Sequence, residues 1–213
     1  MDLFLQPTEA IDCDYPHVKD LAFQTIRGAR DVYERAQRLF YLVRDTIPYN
    51  LYVPVFLLEH YKASMTLHRG SGYCVQKAVL LVALARAAGI PARLVFADIR
   101  NFLTSERVAE MMGTNLFVFH GYVEWLLGDR WVRVTPSFDK EICQEHGYPV
   151  VEFDGRDDAV FSSHDAEGRT FVEYVQHHGT FSDVPLDLIM QAWERAYGKE
   201  RIEEWKAFLK GVS

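Results

Sequence analysis

Gly70-Ser71-Gly72-Tyr73-Cys74 runs without a break into Val75-Gln76-Lys77-Ala78-Val79-Leu80-Leu81-Val82-Ala83-Leu84-Ala85-Arg86-Ala87-Ala88, and this stretch decides the fold. The almost unbroken apolar run from Val75 to Ala88 predicts a buried α-helix that stops at Gly89, with Pro91 barring its continuation. Cys74 stands where that helix begins. Unpaired N–H groups and the helix dipole favour a thiolate there, by roughly 0.3–1 kcal/mol when exposed and up to about 2 kcal/mol when partly buried. A neighbouring imidazolium lowers a thiol pKa much further. Glycines just before the cysteine let the backbone approach a substrate closely. The competing reading is a buried cysteine that packs as a small hydrophobe. The two readings part on whether the chain supplies a base.

Upstream, residues 16–47 read as two helices. The second, Val32 to Ile47, carries Val32, Ala36, Leu39, Phe40 and Val43 at helical spacing, with Pro48 as its stop. Tyr49 to Leu58 is aromatic and apolar, interrupted by Pro54. Downstream the pattern changes. Ala92 to Ala97 reads as a strand, and Asp98 to Thr114 as a loop with a short helix near Ser105–Met112. Leu116 to Leu127 and Arg130 to Val134 read as two strands joined by a tight turn at Gly128-Asp129. Further short strands are expected near Val150–Phe153 and Arg169–Gln176, then helix from Pro185 to Lys210 with a break near Gly198. Helices first and antiparallel strands later make an α+β protein.

The 213 residues suit one domain and suffice for a substantial core. A formal charge of −7 argues against non-specific nucleic-acid binding. No run approaches 18 uninterrupted apolar residues, so no membrane span is expected. The segment Met1 to Pro7 lacks a basic region followed by an apolar one, which gives a cytoplasmic expectation. Cys13, Cys74 and Cys143 are too few and too scattered for a disulfide framework, in keeping with a reducing compartment.

A thiol nucleophile needs a base within hydrogen-bond reach, and the base needs an orienting partner. Of eight histidines, His120 stands out because it lies in Phe117-Val118-Phe119-His120-Gly121-Tyr122-Val123-Glu124-Trp125, a strand that would hold its ring rigidly. Gly121 is read as leaving open room beside it. As a lone residue His120 would be a core histidine bonded to a carbonyl. If Gly128-Asp129 is the turn, Thr135 to Asp139 come level with His120 on the returning strand. A side chain there would hold Nδ1–H and leave Nε2 to the sulfur. Asp139 and Thr135 are the candidates, with Ser137 a weaker third. Asp139 would offset an imidazolium best, being charged, although a helix cap after Pro136 is its competing role.

These residues resemble the transglutaminase-like superfamily. Gly70 to Cys74, Ala78, and Leu81 to Arg93 (Leu-Val-Ala-Leu-Ala-Arg-Ala-Ala-Gly-Ile-Pro-Ala-Arg) are similar to its nucleophile helix and following turn. Phe119-His120 to Glu124, then Trp131 to Pro136, resemble its histidine strand and hairpin partner, and Leu39 to Tyr49 its preceding helix. The resemblance covers about residues 35–140, leaving an extension of about 150–213 outside it. It implies a papain-like core, a nucleophile helix packed on an antiparallel sheet, with Cys74 as nucleophile and His120 as base. The family pattern puts aspartate four residues after the hairpin tryptophan and just before proline, where this chain has Thr135. Asp139 is expected to supply the carboxylate instead, with Thr135 as the alternative third member and loss of activity as the third option. The chemistry implied is attack of a thiolate on an amide or peptide carbonyl through a thioester, resolved by water or by an amine. Hydrolysis is preferred, and the Cys74 N–H is one oxyanion donor. The alternative is a catalytically inactive module that binds peptide or protein. No cofactor, metal, nucleic acid or membrane is expected.

Other constellations are weaker. Cys143 and His146 form half of a zinc pattern, and His164-Asp165 with His177-His178 read first as surface residues. Gly70-Ser71-Gly72 lacks the lysine of a phosphate loop, and Glu152 to Asp158 reads as a solvated acidic loop. Tyr73, Phe96, Phe102, Phe119 and Tyr122 are taken as core or as the walls of a cleft around Cys74.

Overall fold

In the computed structural model, which describes residues 2–210, the chain is an α+β assembly of eight helices and one four-stranded sheet. Helix α1 (Pro16–Ile26) and helix α2 (Val32–Thr46) precede a short α3 (Ala63–Arg69) and the central α4 (Cys74–Ala87). Strand β1 (Ala92–Asn101), α5 (Glu106–Met112), β2 (Leu116–Leu127), β3 (Arg130–Val134), α6 (Lys140–His146) and β4 (Val172–Phe181) follow. Helices α7 (Leu186–Tyr197) and α8 (Lys199–Lys210) close the order.

Helix α2 begins where Asp31 accepts the Glu34 N–H at 2.8 Å, and it buries Ala36, Leu39, Phe40 and Val43, one face at helical spacing. Helix α4 differs in being buried on every side from Cys74 to Arg86. Burying each of its valines and leucines is worth about 1.5–3 kcal/mol, so this helix anchors the core. Two of its buried side chains carry charge. Lys77 Nζ donates to the Arg44 carbonyl at 3.1 Å. The Arg86 guanidinium donates to the carbonyls of Ala92, Gln6 and Ser182, tying α4 to β1 and to both flanking segments. Gly89, at φ 77°, ends the helix, and the Ile90 N–H closes on the Ala85 carbonyl at 2.8 Å.

The sheet is antiparallel throughout, in the order β3-β2-β1-β4, with Leu127 paired to Arg130 across the expected Gly128-Asp129 turn. Both faces of β1 are covered. Leu94 and Phe96 join the core built around α4, whereas Val95, Ala97 and Ile99 belong to separate clusters with Tyr122, Phe161 and Phe171. Cys143, Tyr148, Phe161 and Phe171 thus cover the sheet on the Ile99 side, while Phe153 and Ala159 of the same stretch join the core around α4.

Three expectations need correction. Strand β1 continues past Ala97 to Asn101, because Asp98 finds partners for its carboxylate inside the sheet. No strand forms at Val150–Phe153, whose backbone is engaged instead by side chains of α2. Gln37 and Tyr41 both donate to the Phe153 carbonyl, and the Phe153 N–H donates back to Tyr41 Oη. The strand expected at Arg169–Gln176 lies at Val172–Phe181 and takes in His177 and His178.

Candidate active site

The loop before α4 is clamped by its own backbone. The Gly72 N–H donates to the Pro48 carbonyl and its C=O accepts from Asn50. Gln76 fixes the first turn, since its Oε1 accepts the Tyr73 N–H at 3.3 Å and its Nε2 donates to the carbonyls of Pro54 and His60, both at 2.9 Å. Cys74 is therefore rigidly placed, with 6% of its surface exposed. N–H groups of Gly121, Val75 and Cys74 favour its thiolate, but burial outweighs them and pushes the thiol up to about 11.

Strand β2 carries His120, 3% exposed, to the same place. Gly121, read from sequence as open room, is a contact point. A Cβ there would come within 3.0 Å of both Cα and Cγ2 of Val75, so the first turn of α4 lies directly on the strand. Just before it the strand is irregular. Ala97 pairs with His120 but Ile99 pairs with Phe117, so one extra residue is inserted into β2 opposite Asp98. Phe119 takes up the insertion at φ 57°, a left-handed conformation that costs a non-glycine residue about 1–3 kcal/mol. Asp98 holds it there. Its Oδ1 accepts the Phe119 N–H at 2.9 Å and bonds His178 Nε2 at 2.7 Å, while the His178 ring stacks on Phe119 at 4.0 Å. The insertion also breaks the alternation of faces. Phe117 packs with the Ile99 cluster, whereas Phe119 joins the core around α4.

His120 Nε2, not Nδ1, faces the returning chain, 3.5 Å from Thr135 Oγ1, which in turn lies 2.9 Å from Ser137 Oγ. The ring packs against Phe161 and Tyr122, and burial pulls its pKa down to about 3. Asp139 is spent elsewhere. Its Oδ1 caps α6 by accepting the Ile142 N–H at 3.0 Å, and its Oδ2 accepts the Tyr49 N–H at 2.7 Å. Its charge also favours protonation of buried Lys77, whose pKa burial nonetheless lowers to about 7. The expected third member is thus a helix cap, and the hydroxyl beside the imidazole is that of Thr135, backed by Ser137.

Cys74 and His120 open onto one partly enclosed cavity of about 90 Å³. Its walls include Tyr52 and Phe56 of the 49–56 loop, Met111 of α5, Trp193 of α7, and Trp205 and Phe208 of α8. Of the five aromatics singled out in the sequence, Tyr73 and Phe119 line it. Phe96 packs against the Phe119 ring, Tyr122 lies on the opposite face, and Phe102 is largely exposed. The C-terminal helices as walls, and Asp98 with His178 as the brace of the bulge, went unnoticed in the sequence. The spacing Ile189, Ala192, Trp193 marks a buried face on α7 and could have signalled the first.

The weaker constellations resolve separately. Cys143 Sγ lies 3.9 Å from the Pro149 carbonyl while His146 stacks on Tyr148. His177 stacks on Tyr174, apart from the partners of His178, and His164 bonds Ser163. In the acidic loop, Asp157 and Asp158 pair with Arg130 and Arg133 at the surface.

The family model of the transglutaminase-like superfamily matches residues 19–136. Among curated proteins no sequence matches the chain. A "putative cysteine protease" from Cytophaga hutchinsonii is similar in structure, with a TM-score of 0.53 and 18% identity over 87% of this chain and 48% of that one. The periplasmic domain of TgpA from Pseudomonas aeruginosa matches with a TM-score of 0.45 and 21% identity, over 67% of this chain and 47% of that one. The chain spans about half the length of these solved relatives.

Proposed function

The chain belongs to the transglutaminase-like superfamily, and from that premise we propose that it is a thiol-dependent acyl-transfer enzyme, an amidase or cysteine peptidase in which water resolves the intermediate. The observation that carries this reading is the convergence of Cys74 and His120 on one cavity, with three backbone N–H groups disposed around the sulfur and Nε2 of the imidazole held at Thr135.

The steps of this reading begin when a bound substrate brings together the two side chains, which share the cavity without a hydrogen bond between them among the described residues. Nδ1 of neutral His120 takes the thiol proton as sulfur bonds to the substrate carbonyl carbon. The oxyanion forms beside the N–H groups at the start of α4, which stabilise it. The imidazolium then gives its proton to the leaving amine as the carbon–nitrogen bond breaks, leaving a thioester on Cys74. Water, deprotonated by the same ring, attacks the thioester and releases the acid and the thiol. In the apolar resting cavity, moving the proton from sulfur to imidazole costs on the order of 10 kcal/mol before the attraction of the resulting ions is counted. Thiol and imidazole therefore rest uncharged, and the chemistry waits for a polar carbonyl.

A specific observation favours a second reading, a binding module that has kept the fold. Thr135 stands where the family pattern has aspartate, and a hydroxyl cannot offset an imidazolium. Hydrolysis of p-nitrophenyl butyrate separates the two. For the enzyme, Cys74→Ser and His120→Ala each lower kcat/KM by about 100-fold or more. Equal, residual rates in all three proteins leave only the binding module. The cytoplasm is the proposed location, on the strength of the unpaired state of Cys13, Cys74 and Cys143, and cell fractionation checks it.

A further inference from the structure

We propose that the group Cys74 takes up is an uncharged hydrocarbon acyl group of about four carbons, an inference that rests on Cys74 being the nucleophile. No Asp, Glu, Lys or Arg lines the cavity among the described residues. More telling is what its walls do with their polar atoms. Tyr73 Oη donates to Tyr61 Oη at 3.0 Å. Tyr197 Oη accepts from the Val118 N–H at 2.7 Å and donates to the Leu116 carbonyl at 3.1 Å. The indole N–H groups of Trp193 and Trp205 donate to the carbonyls of Val118 and Met111. These four side chains thus present hydrocarbon to the cavity and turn their hydrogen-bonding capacity into the protein, whereas the hydroxyls of Tyr49 and Tyr52, which also line it, make no hydrogen bond among the described residues. Arg107 and Lys206 stand over the rings of Tyr52 and Phe56, at 5.6 and 5.5 Å, without lining the space.

A carboxylate or carboxamide at the far end of the acyl chain would lose its water and find no charged partner there, only the hydroxyls of Tyr49 and Tyr52, which replace part of that water. Size sets the other limit. An apolar cavity of about 150 Å³ takes benzene, and this one, at about 90 Å³, suits a shorter chain or a small aliphatic side chain. Helices α7 and α8 thereby acquire a role, since Trp193, Trp205 and Phe208 supply walls that β2 and α4 alone do not.

The test is a titration of the Trp193 and Trp205 indole N–H resonances in Cys74→Ala with butanamide, succinamide and succinamate, which differ only at the end of the chain. The expected result is saturation by butanamide at a concentration at least about tenfold below either of the others. Equal or tighter binding of succinamide or succinamate overturns the proposal. The same titration of the unmodified protein at pH 6 decides the matter if Cys74→Ala does not fold. Acetyl-leucinamide against acetyl-glutaminamide shows whether the hydrocarbon comes on a peptide: the leucine compound is expected to bind tighter than the glutamine one, and the reverse order counts against the proposal. A separate arm follows p-nitrophenol release from p-nitrophenyl butyrate by the unmodified protein. Its absence overturns the nucleophile reading, while the amide series still reports on the cavity.

Discussion

Helix-end N–H groups favour a thiolate at Cys74 by at most about 2 kcal/mol, yet the thiol stands at about 11 because burial works the other way and prevails. His120 is governed by the same medium, with its imidazole neutral down to about pH 3. With no carboxylate on Nε2, nothing nearby rewards the charged form. Alkylation of Cys74 by iodoacetamide should therefore climb about tenfold for each pH step from 7 to 10, in proportion to the thiolate fraction. A plateau below pH 8 would mean a resting ion pair and contradict this. Thr135→Asp restores a carboxylate beside Nε2, and an opposite charge at that range favours imidazolium and, through it, thiolate. That variant is expected to react about tenfold or more faster at pH 7 with a flatter profile. An unchanged profile would show that Thr135 does not face the ring in solution.

Between residue and fold, the contact of α4 with β2 sets the position of the sulfur. Gly121 is the hinge of that contact, because a side chain there meets Val75 on the helix backbone. Gly121→Val is expected to destabilise the protein by about 1–3 kcal/mol through overpacking, read as a lower denaturation midpoint with an unchanged slope. It should also slow Cys74 alkylation as the helix start is displaced. Unaltered stability would deny that α4 presses on the strand here. This element also marks where the sequence was readable. A 14-residue apolar run bounded by Gly-rich turns and Gly89-Ile90-Pro91 admits one interpretation, and the Gly128-Asp129 hairpin nearly so. The inserted residue at Phe119 was not readable, because left-handed backbone at phenylalanine has no local signature. It exists because Asp98, from another strand, and His178, from a third, hold it. Asp139 was misassigned for a related reason. Helix capping and imidazole orientation ask for the same side chain, and only the path of the chain after Pro136 decides between them.

For the molecule as a whole, α+β order, the buried helix α4 and the antiparallel strands were legible from periodicity and turn residues, which are local. The cavity was not, since it joins the 49–56 loop, α5, β2 and the two C-terminal helices across most of the chain length. Arg201 and Trp205 of α8 donate to the Met111 carbonyl, so the wall is fastened to α5 by hydrogen bonds as well as packing. Family membership and a shared fold fix the scaffold; what the scaffold does depends on whether sulfur forms a bond to substrate. Acid-quenched mixtures with p-nitrophenyl butyrate, digested and analysed by mass spectrometry, ask this directly. A butyryl group on the Cys74 peptide, reduced about 100-fold or more in His120→Ala, is the expected result. No adduct, an adduct on Cys13 or Cys143, or equal labelling in His120→Ala would contradict it.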